Sequence, residues 1–259
     1  MNNIEVKVLN VGHSNPEGMM MFLAHLTQRG HSIDSMDNLV NMYNKDISNT
    51  SWKSSKSIAQ LPHGTIKRFA PITVAIVGAS RRFLAQARTH SVGLDFVSAS
   101  LQYSDYSNSS QFCIPYDVLC KGGKAEELFI ASCKVSMHCY KLLIENGISN
   151  DSAGYLAPQA LRNILIIQGN IEAWDNFIRR RICKRNTAET AYVTALIWDK
   201  LYNIPGGDVF FGKSGPDCLG RGCREGKMCC GRPLNKAEYD NIAVSPALLF
   251  IRENFPKLF

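Results

Sequence analysis

A run of β-branched residues, followed by a serine and a basic helical segment, constrains the fold of this chain most strongly. Residues 72–77 read Ile-Thr-Val-Ala-Ile-Val, which is typical of a buried strand. Ser80 can accept a hydrogen bond from the first turn of a helix, so it predicts a helix over residues 81–90. Residues 94–103 are rich in hydroxyl side chains and are predicted to be irregular or extended.

Periodicity elsewhere predicts further strands and helices. Alternating or β-branched patterns indicate strands over residues 4–9 and 164–168. Helical periodicity and capping residues indicate helices over residues 19–28, 124–146, 171–182, 187–201 and 234–240. Gly147 stands where the longest of these helices should end, and the polar residues 44–60 predict a loop.

Two of the predicted helices carry apolar faces that should point into the core. In the helix over residues 171–182, the inward residues are Ile171, Trp174, Phe177 and Ile178. In the helix over residues 124–146, one stripe is formed by Leu128, Ala131, Val135, Cys139 and Leu142. No internal repeat and no clear linker separates these elements, so a single α+β domain is predicted.

Composition narrows the class of protein. Hydrophobic residues make up 45% of the 259 residues, enough for an ordinary core. No apolar run reaches the ~20 residues that span a bilayer, and the N-terminal residues lack a signal-peptide core. We therefore expect a soluble, cytoplasmic protein. The net charge of +7 suits nucleic acid or phosphorylated small molecules, but the aromatic-interleaved basic pattern of single-strand binders is missing.

The basic and hydroxyl-bearing residues over positions 81–103 are the candidates for a binding site. Guanidinium forks and hydroxyls bind phosphates and nucleobase edges well. The segment has neither a cysteine nor another strong nucleophile, so a site here would bind and polarise a substrate rather than attack it. The alternative is that the basic residues are only the solvated face of a helix.

The spacing of these residues is similar to a known signature. Arg88-Thr89-His90, followed by seven residues and Ser98, resembles the Arg-His-Arg-x7-Ser signature of flavin-dependent thymidylate synthases. A second register aligns Gln86 with the family's Gln. In that register Thr89-His90-Ser91 stands at the place of Arg-His-Arg, and one inserted residue aligns Ser100 and Tyr103 with the family's Ser and final Tyr. We prefer the second register slightly. Gln102 then replaces the Arg that precedes the family's Tyr.

Further motifs along the chain resemble the same family. His63-Gly64-Thr65 is similar to its His-x-Ser/Thr turn, and residues 151–158 are similar to its Glu-x-Ala-Arg-x-Val-Leu-Pro segment. Asn170, Asn176, Arg181 and Glu189 then follow at the family's spacing. One departure stands out: Gly154 occupies the place of an arginine that contacts the nucleotide in the family.

The resemblance implies a fold, a reaction and a set of site residues. The fold is the family's α+β fold, a mixed sheet with a layer of long helices, over residues 1–205; residues 206–259 would be a Gly- and Cys-rich extension packed on the same domain. The reaction is reductive methylation of deoxyuridine monophosphate at C5, with FAD, NADPH and methylenetetrahydrofolate, in a homotetramer. The implied flavin contacts are His63, Thr65, His90, Asn170, Asn176 and Glu189. The implied nucleotide contacts are Gln86, Arg88, Ser98, Ser100, Gln102 and Arg181.

Within this set, Arg181, Ser98 and Ser100 are the predicted catalytic residues, with Arg181 near the pyrimidine carbonyls. Up to three cationic contacts of the family are missing, and each is worth roughly 1.5–3 kcal/mol. Either Arg82, Arg88 and Arg162 compensate, or the substrate differs from deoxyuridine monophosphate. The alternatives are therefore a relative that modifies another pyrimidine nucleotide, for example by hydroxymethylation, or a non-catalytic flavin- or nucleotide-binding protein. A basic nucleic-acid-binding protein is the remaining alternative.

Cysteines are concentrated near the end of the chain. Four of the nine, Cys218, Cys223, Cys229 and Cys230, lie within thirteen residues. Their spacing differs from the usual pair of Cys-x-x-Cys knuckles of zinc sites. We predict a reduced, glycine-rich loop and assign no metal ligand, with a zinc site and a disulfide as the alternatives.

Overall fold

A four-stranded sheet organises the protein. The computed structural model describes Met1, residues 3–12, 15–48, 64–69, 71–90, 92–220, 222–232, Leu234, Glu238, Tyr239 and residues 244–258. The strands are β1 (Glu5–Val11), β2 (Pro71–Ser80), β3 (Leu94–Ser98) and β4 (Arg162–Asn170), and they lie in the order β1-β2-β4-β3. The predicted strands are confirmed, and β3 gives the segment over residues 94–103 a regular first half.

All three strand pairings in the described residues are antiparallel. The α+β class is therefore confirmed, but the expectation of a mixed sheet is not. Strand direction follows from how the connections cross the sheet, and the apolar pattern of a strand does not encode it. The register places Ile76 opposite Leu165 and Ser80 opposite Arg162.

Helices cover one face of this sheet and extend beyond it. Their bounds are α1 (Pro16–Arg29), α2 (Met36–Ser48), α3 (Gly64–Lys67), α4 (Arg81–Arg88), α5 (Tyr116–Lys121), α6 (Gly123–Glu145), α7 (Asn150–Ala153), α8 (Ile171–Arg181), α9 (Ala188–Tyr202), α10 (Gly207–Phe211), α11 (Asp217–Gly220) and α12 (Pro246–Asn254). The loop predicted over residues 44–60 is wrong at its start, because residues 44–48 belong to α2; residues 49–60 lie outside the described residues. The helix predicted over residues 234–240 falls mainly outside them too.

The main core lies between the sheet and helices α8 and α9. Ile171, Trp174, Phe177 and Ile178 are buried, as their spacing predicts. Trp174 also donates its indole N–H to the carbonyl of Ile72 at 3.0 Å, which ties α8 to β2. Because β2 leads directly into α4, this bond helps to fix α8 relative to the segment that begins at Arg81.

The longest helix buries a different face from the predicted one. Leu128, Val135 and Leu142 are 59%, 63% and 43% exposed. Cys133, Met137 and Tyr140 are buried instead, in a second cluster that includes Leu101, Phe112 and Leu161. Both stripes have helical periodicity, so the pattern alone could not choose between them. Gly147 follows the helix with φ 78°, as expected for the residue after a helix C-cap.

The C-terminal part returns to the main core. Helix α12 packs on α9, and Phe250, Ile251 and Phe255 belong to the same cluster as Trp174. The boundary expected at residue 205 stays a prediction. Among the described helices, none combines the length and the apolar character needed to cross a bilayer.

Candidate functional site

The junction between β2 and α4 is held by one serine and one glutamate. Ser80 caps α4, because its Oγ accepts a hydrogen bond from the Phe83 N–H at 3.0 Å. Its backbone N–H and its hydroxyl donate to the two carboxylate oxygens of Glu189 at 2.7 and 2.5 Å. These bonds connect the end of β2, the start of α4 and the first turn of α9.

Glu189 has a third internal partner. The Cys113 thiol donates to Glu189 Oε1 at 3.1 Å. Burial, assisted by the neighbouring Glu189 charge, raises the pKa of Cys113 to about 12, so this thiol stays protonated and can donate. The carboxylate that the resemblance assigns to the flavin is therefore occupied by contacts that stabilise the fold. A contact between Glu189 and a flavin stays a prediction.

Arg181 ends α8 and lies beside the end of α4. Its side chain is buried, with Nη2 in contact with the Thr89 hydroxyl and 2.7 Å from His90 Nδ1. Nη1 reaches Asn186 Oδ1 at 3.5 Å. The Nε–H is also buried and has no hydrogen-bond partner in the described residues. A buried cation with a spare donor suits an acceptor group on a ligand.

The electrostatics of this cluster fix the charge state of its histidine. Partial burial, and then the charges of Arg181 and Arg180, lower the pKa of His90. A guanidinium can only donate, so His90 Nδ1 must accept and the imidazole is neutral. Arg181 itself stays charged, although burial lowers its pKa from the usual value.

A groove of about 530 Å³ lies between α4 and β3; we call it the α4–β3 groove. Its walls include Arg81, Arg88, Phe96, Ser98, Ser100 and Leu101. Arg88 Nη2 donates to Ser98 Oγ at 2.8 Å, so the arginine and serine of the first register are in direct contact. Two arginines and two hydroxyls in one groove are a suitable set for a phosphate or a sugar.

The predicted site residues thus fall into separate groups. The structure brings Arg181 together with His90, and Arg88 together with Ser98 and Ser100. Gln86 is half-buried on α4, and Gln102 is exposed; neither lines the groove. The backbone N–H of Gln102 donates to Ser100 Oγ at 3.1 Å.

Among the described residues, the remaining predicted flavin contacts make no hydrogen bonds to one another. Asn170 is the N-cap of α8, where its Oδ1 accepts from the Ala173 N–H at 2.9 Å. Asn176 is half-buried further along the same helix, and Thr65 is exposed on α3. His63 lies outside the described residues. The roles of all four in flavin binding stay predictions.

One groove residue was missed by sequence reasoning. Arg81 lines the α4–β3 groove with Leu84, Ala85 and Arg88, which are the i+3, i+4 and i+7 positions of one helical face. Helical spacing from Arg88 back to Arg81 could have identified it. Partial burial lowers the pKa of Arg81, with the Arg88 charge adding to the effect, but the Arg81 guanidinium remains charged at neutral pH.

The glycine at the place of a family arginine lies at the edge of this groove. A Cβ atom on Gly154 would stand 3.3 Å from the Cβ of Leu101, which lines the groove. The position where the resemblance expects a third cationic contact is therefore next to the groove that holds Arg81 and Arg88. With glycine in place of that arginine, this edge of the α4–β3 groove carries less positive charge.

Comparisons with known proteins agree on one family. The sequence profile described as "Thymidylate synthase complementing protein" matches residues 10–204. The flavin-dependent thymidylate synthase of Geobacter sulfurreducens is 24% identical over 176 residues, which cover 68% of this chain and 74% of that protein. That of Thermococcus onnurineus is 25% identical over 175 residues, which cover 64% of this chain and 69% of that protein.

Two solved structures share the fold. Thymidylate Synthase X from Helicobacter pylori, solved with FAD and dUMP, superposes with a TM-score of 0.59 at 14% identity, covering 80% of this chain and 96% of that one. The UMP/dUMP methylase PolB from Streptomyces cacaoi, bound to 5-Br dUMP, superposes with a TM-score of 0.63 at 13% identity, covering 82% and 97%.

Proposed function

Because this chain belongs to the thymidylate synthase complementing protein family, we propose that it is a flavin-dependent thymidylate synthase that methylates deoxyuridine monophosphate at C5. The observation that carries the proposal is the buried Arg181, which meets His90 at the end of α4. These two residues come from the two motifs with the most specific resemblance to the family. Their contact spans 91 positions of sequence.

The residues of the cluster fit a flavin and a pyrimidine nucleotide. The Arg181 Nε–H is a buried donor that the described residues leave without a partner, and neutral His90 presents a ring that can donate through Nε2. Reduced FAD would supply the hydride, with NADPH as its reductant and methylenetetrahydrofolate as the one-carbon donor. Asn170, Asn176 and His90 are the residues proposed to hold the flavin.

The chain's own residues would bind and polarise the nucleotide. Arg181 would donate to a pyrimidine carbonyl and stabilise the negative charge that develops on the ring. Arg81 and Arg88 would bind the phosphate in the α4–β3 groove, with Ser98 and Ser100 as further hydroxyl donors. A cationic site of this kind, with the redox step carried by the flavin, needs no protein nucleophile.

Exposed apolar surface supports the proposed homotetramer. Leu128, Val135 and Leu142 form an exposed stripe on α6, and Val77 and Ile164 are 44% and 48% exposed on the sheet. A monomer rarely leaves so much apolar surface open without a partner. Light scattering should give four chains per particle. The cytoplasmic location is likewise part of the proposal.

A second candidate substrate is uridine monophosphate. Gly154 removes a cationic group from the edge of the groove, and the PolB structure belongs to an enzyme described as a UMP/dUMP methylase. A groove with fewer fixed contacts would discriminate less between a ribose and a deoxyribose. Both nucleotides therefore belong in the same assay.

The test is turnover of C5-tritiated nucleotides. Purified protein reconstituted with FAD should release tritium from deoxyuridine monophosphate when NADPH and methylenetetrahydrofolate are present, and not when either is left out. Faster release from uridine monophosphate would favour the second candidate. Flavin binding with no release from either nucleotide would overturn the enzymatic proposal and favour a binding protein.

A further inference from the structure

Five thiols converge on one recess beside the end of α8. The recess, which we call the thiol recess, encloses about 70 Å³. Its cysteines are Cys183, Cys218, Cys223, Cys229 and Cys230, and all five are free thiols. Cys183 comes from the connection between α8 and α9, far in sequence from the other four. The spacing of the cysteines along the chain does not predict that Cys183 belongs with them.

The thiols form one connected network. Cys183 lies in electrostatic contact with Cys218 and Cys230. Cys229 lies in electrostatic contact with Cys223 and Cys230. Cys218 also lies near Cys223. Each of the five cysteines therefore has two others as neighbours, and Cys218 and Cys230 link the tail cysteines to Cys183.

Backbone amides point at two of these sulfurs. The Gly231 N–H donates to Cys229 Sγ and the Arg232 N–H donates to Cys230 Sγ, both at 3.4 Å. Gly222, Gly226 and Gly231 have φ values of 77°, 52° and 70°, which bend the chain back around the recess. Amide donors to sulfur stabilise negative charge there, which is what a metal-bound thiolate requires.

The segment around the recess has little else to hold it. All residues over positions 222–228 are exposed, so this part contributes no buried apolar side chain to the core. Cationic side chains surround it: Arg179, Arg180, Lys184, Arg185, Arg224 and Arg232 line the recess. Positive charge at this density offsets the negative charge that deprotonated thiols would bring.

We propose that Cys183, Cys218, Cys223 and Cys229 bind a structural zinc ion. Four thiolates in a tetrahedral arrangement are a preferred zinc coordination, and one ion suits the small enclosed volume. Cys230 is left out of the set, because Cys229 has an extended backbone at φ −55° and ψ 139° and adjacent side chains then diverge.

Binding would draw the sulfurs together. Among the described residues, no group of three or more histidine, cysteine, aspartate or glutamate side chains already has the spacing of a metal site. Zinc–sulfur bonds are about 2.3 Å long. Four cysteines would therefore lose four protons to solvent and close around the ion, in a step that couples metal binding to the packing of the tail cysteines against Cys183. The zinc would anchor the C-terminal extension two residues beyond Arg181.

The test is metal content and cobalt spectroscopy on the full-length protein without a metal-binding tag. Protein reduced and reconstituted with Zn²⁺ should retain about one zinc per chain after gel filtration. With Co²⁺ in place of zinc, the visible bands of tetrahedral thiolate coordination should appear. Cys183→Ser and Cys218→Ser should each lose both signals, and a chelator should lower the melting temperature of the wild-type protein.

Matched thiol variants make the result decisive. Cys139→Ser, an exposed position on α6, and Cys230→Ser should keep one zinc per chain. Circular dichroism checks that every variant is folded. The proposal is overturned if folded, reduced wild-type protein retains no zinc, if it carries iron–sulfur absorption instead, or if Cys230→Ser loses zinc while Cys229→Ser keeps it. None of these readouts depends on flavin or nucleotide turnover.

Discussion

Arg181 Nη2 lies 2.7 Å from His90 Nδ1, so a permanent cation at the end of α8 faces an unprotonated ring nitrogen at the end of α4. A doubly protonated imidazole would place two donors and two positive charges in contact. The structure therefore requires a neutral His90 with its proton on Nε2.

The His90 contact predicts an acid-dependent loss of stability. The native pKa of His90 is lowered below its ordinary value of 6.5, so below pH 6.5 the unfolded chain binds a proton that the native state does not. The free energy of unfolding should fall as the pH drops through this range. Urea unfolding at several pH values should show that His90→Gln removes this contribution. If His90→Gln kept the pH dependence of the wild type, the result would contradict a neutral His90 in the native state.

Glu17 should produce the opposite slope. Its side chain is buried in the first turn of α1, and burial, with Asp208 nearby, raises its pKa to about 7. Between pH 4.5 and 7 the native state binds the extra proton, so stability from this group is lost as the pH rises. Glu17→Gln should be more stable than the wild type at pH 8, by on the order of 1–3 kcal/mol, and should differ little at pH 4.5. A variant that is less stable at pH 8 would contradict this.

The Glu189 contacts predict a structural cost for a neutral replacement. Glu189→Gln keeps the shape but can accept with only one oxygen, so one of its three internal donors loses its partner. The free energy of unfolding should fall by roughly 1–3 kcal/mol. The control is Glu172→Gln, which breaks an exposed ion pair with Arg68 and should cost less than ~1 kcal/mol. Weakened flavin binding at unchanged stability would show instead that Glu189 is chiefly a cofactor ligand.

Asn170 has a capping role that can be separated from its proposed flavin role. Asn170→Ala should cost about 1 kcal/mol, because the Ala173 N–H loses its acceptor. Asn170→Ser restores a cap and should recover most of that stability. If Asn170 also binds FAD, both variants should bind flavin more weakly than the wild type. Full flavin affinity in Asn170→Ser would leave only the capping role.

Local patterns predicted much of the fold because they act over short distances. Ser80 was expected to begin a helix and does, with its side chain accepting from the first turn, and Asn170 begins α8 in the same way. The inward face of α8 followed from its spacing alone. These features depend on a few neighbouring residues, and a single sequence contains them.

The remaining features depend on contacts between distant residues. The choice between two stripes of α6 is made by Leu101, Phe112 and Leu161, which a helical pattern cannot anticipate. Family resemblance predicted Arg181 and His90 as separate site residues, but not their contact, the Glu189 anchor or the approach of Cys183 to the tail cysteines. Sequence spacing predicted where the helices lie and which polar residues they carry. The contact partners of those residues are determined by how the helices and strands pack together.

The most direct test of the proposed function is tritium release from C5-tritiated deoxyuridine monophosphate by FAD-loaded wild type and Arg181→Gln. The wild type should release tritium only with methylenetetrahydrofolate and NADPH. The variant should be slower by 10²-fold or more, the loss expected for removal of one charge-stabilising donor, while still binding flavin. Equal rates in the two proteins, or no release by a flavin-bound wild type, would contradict the account.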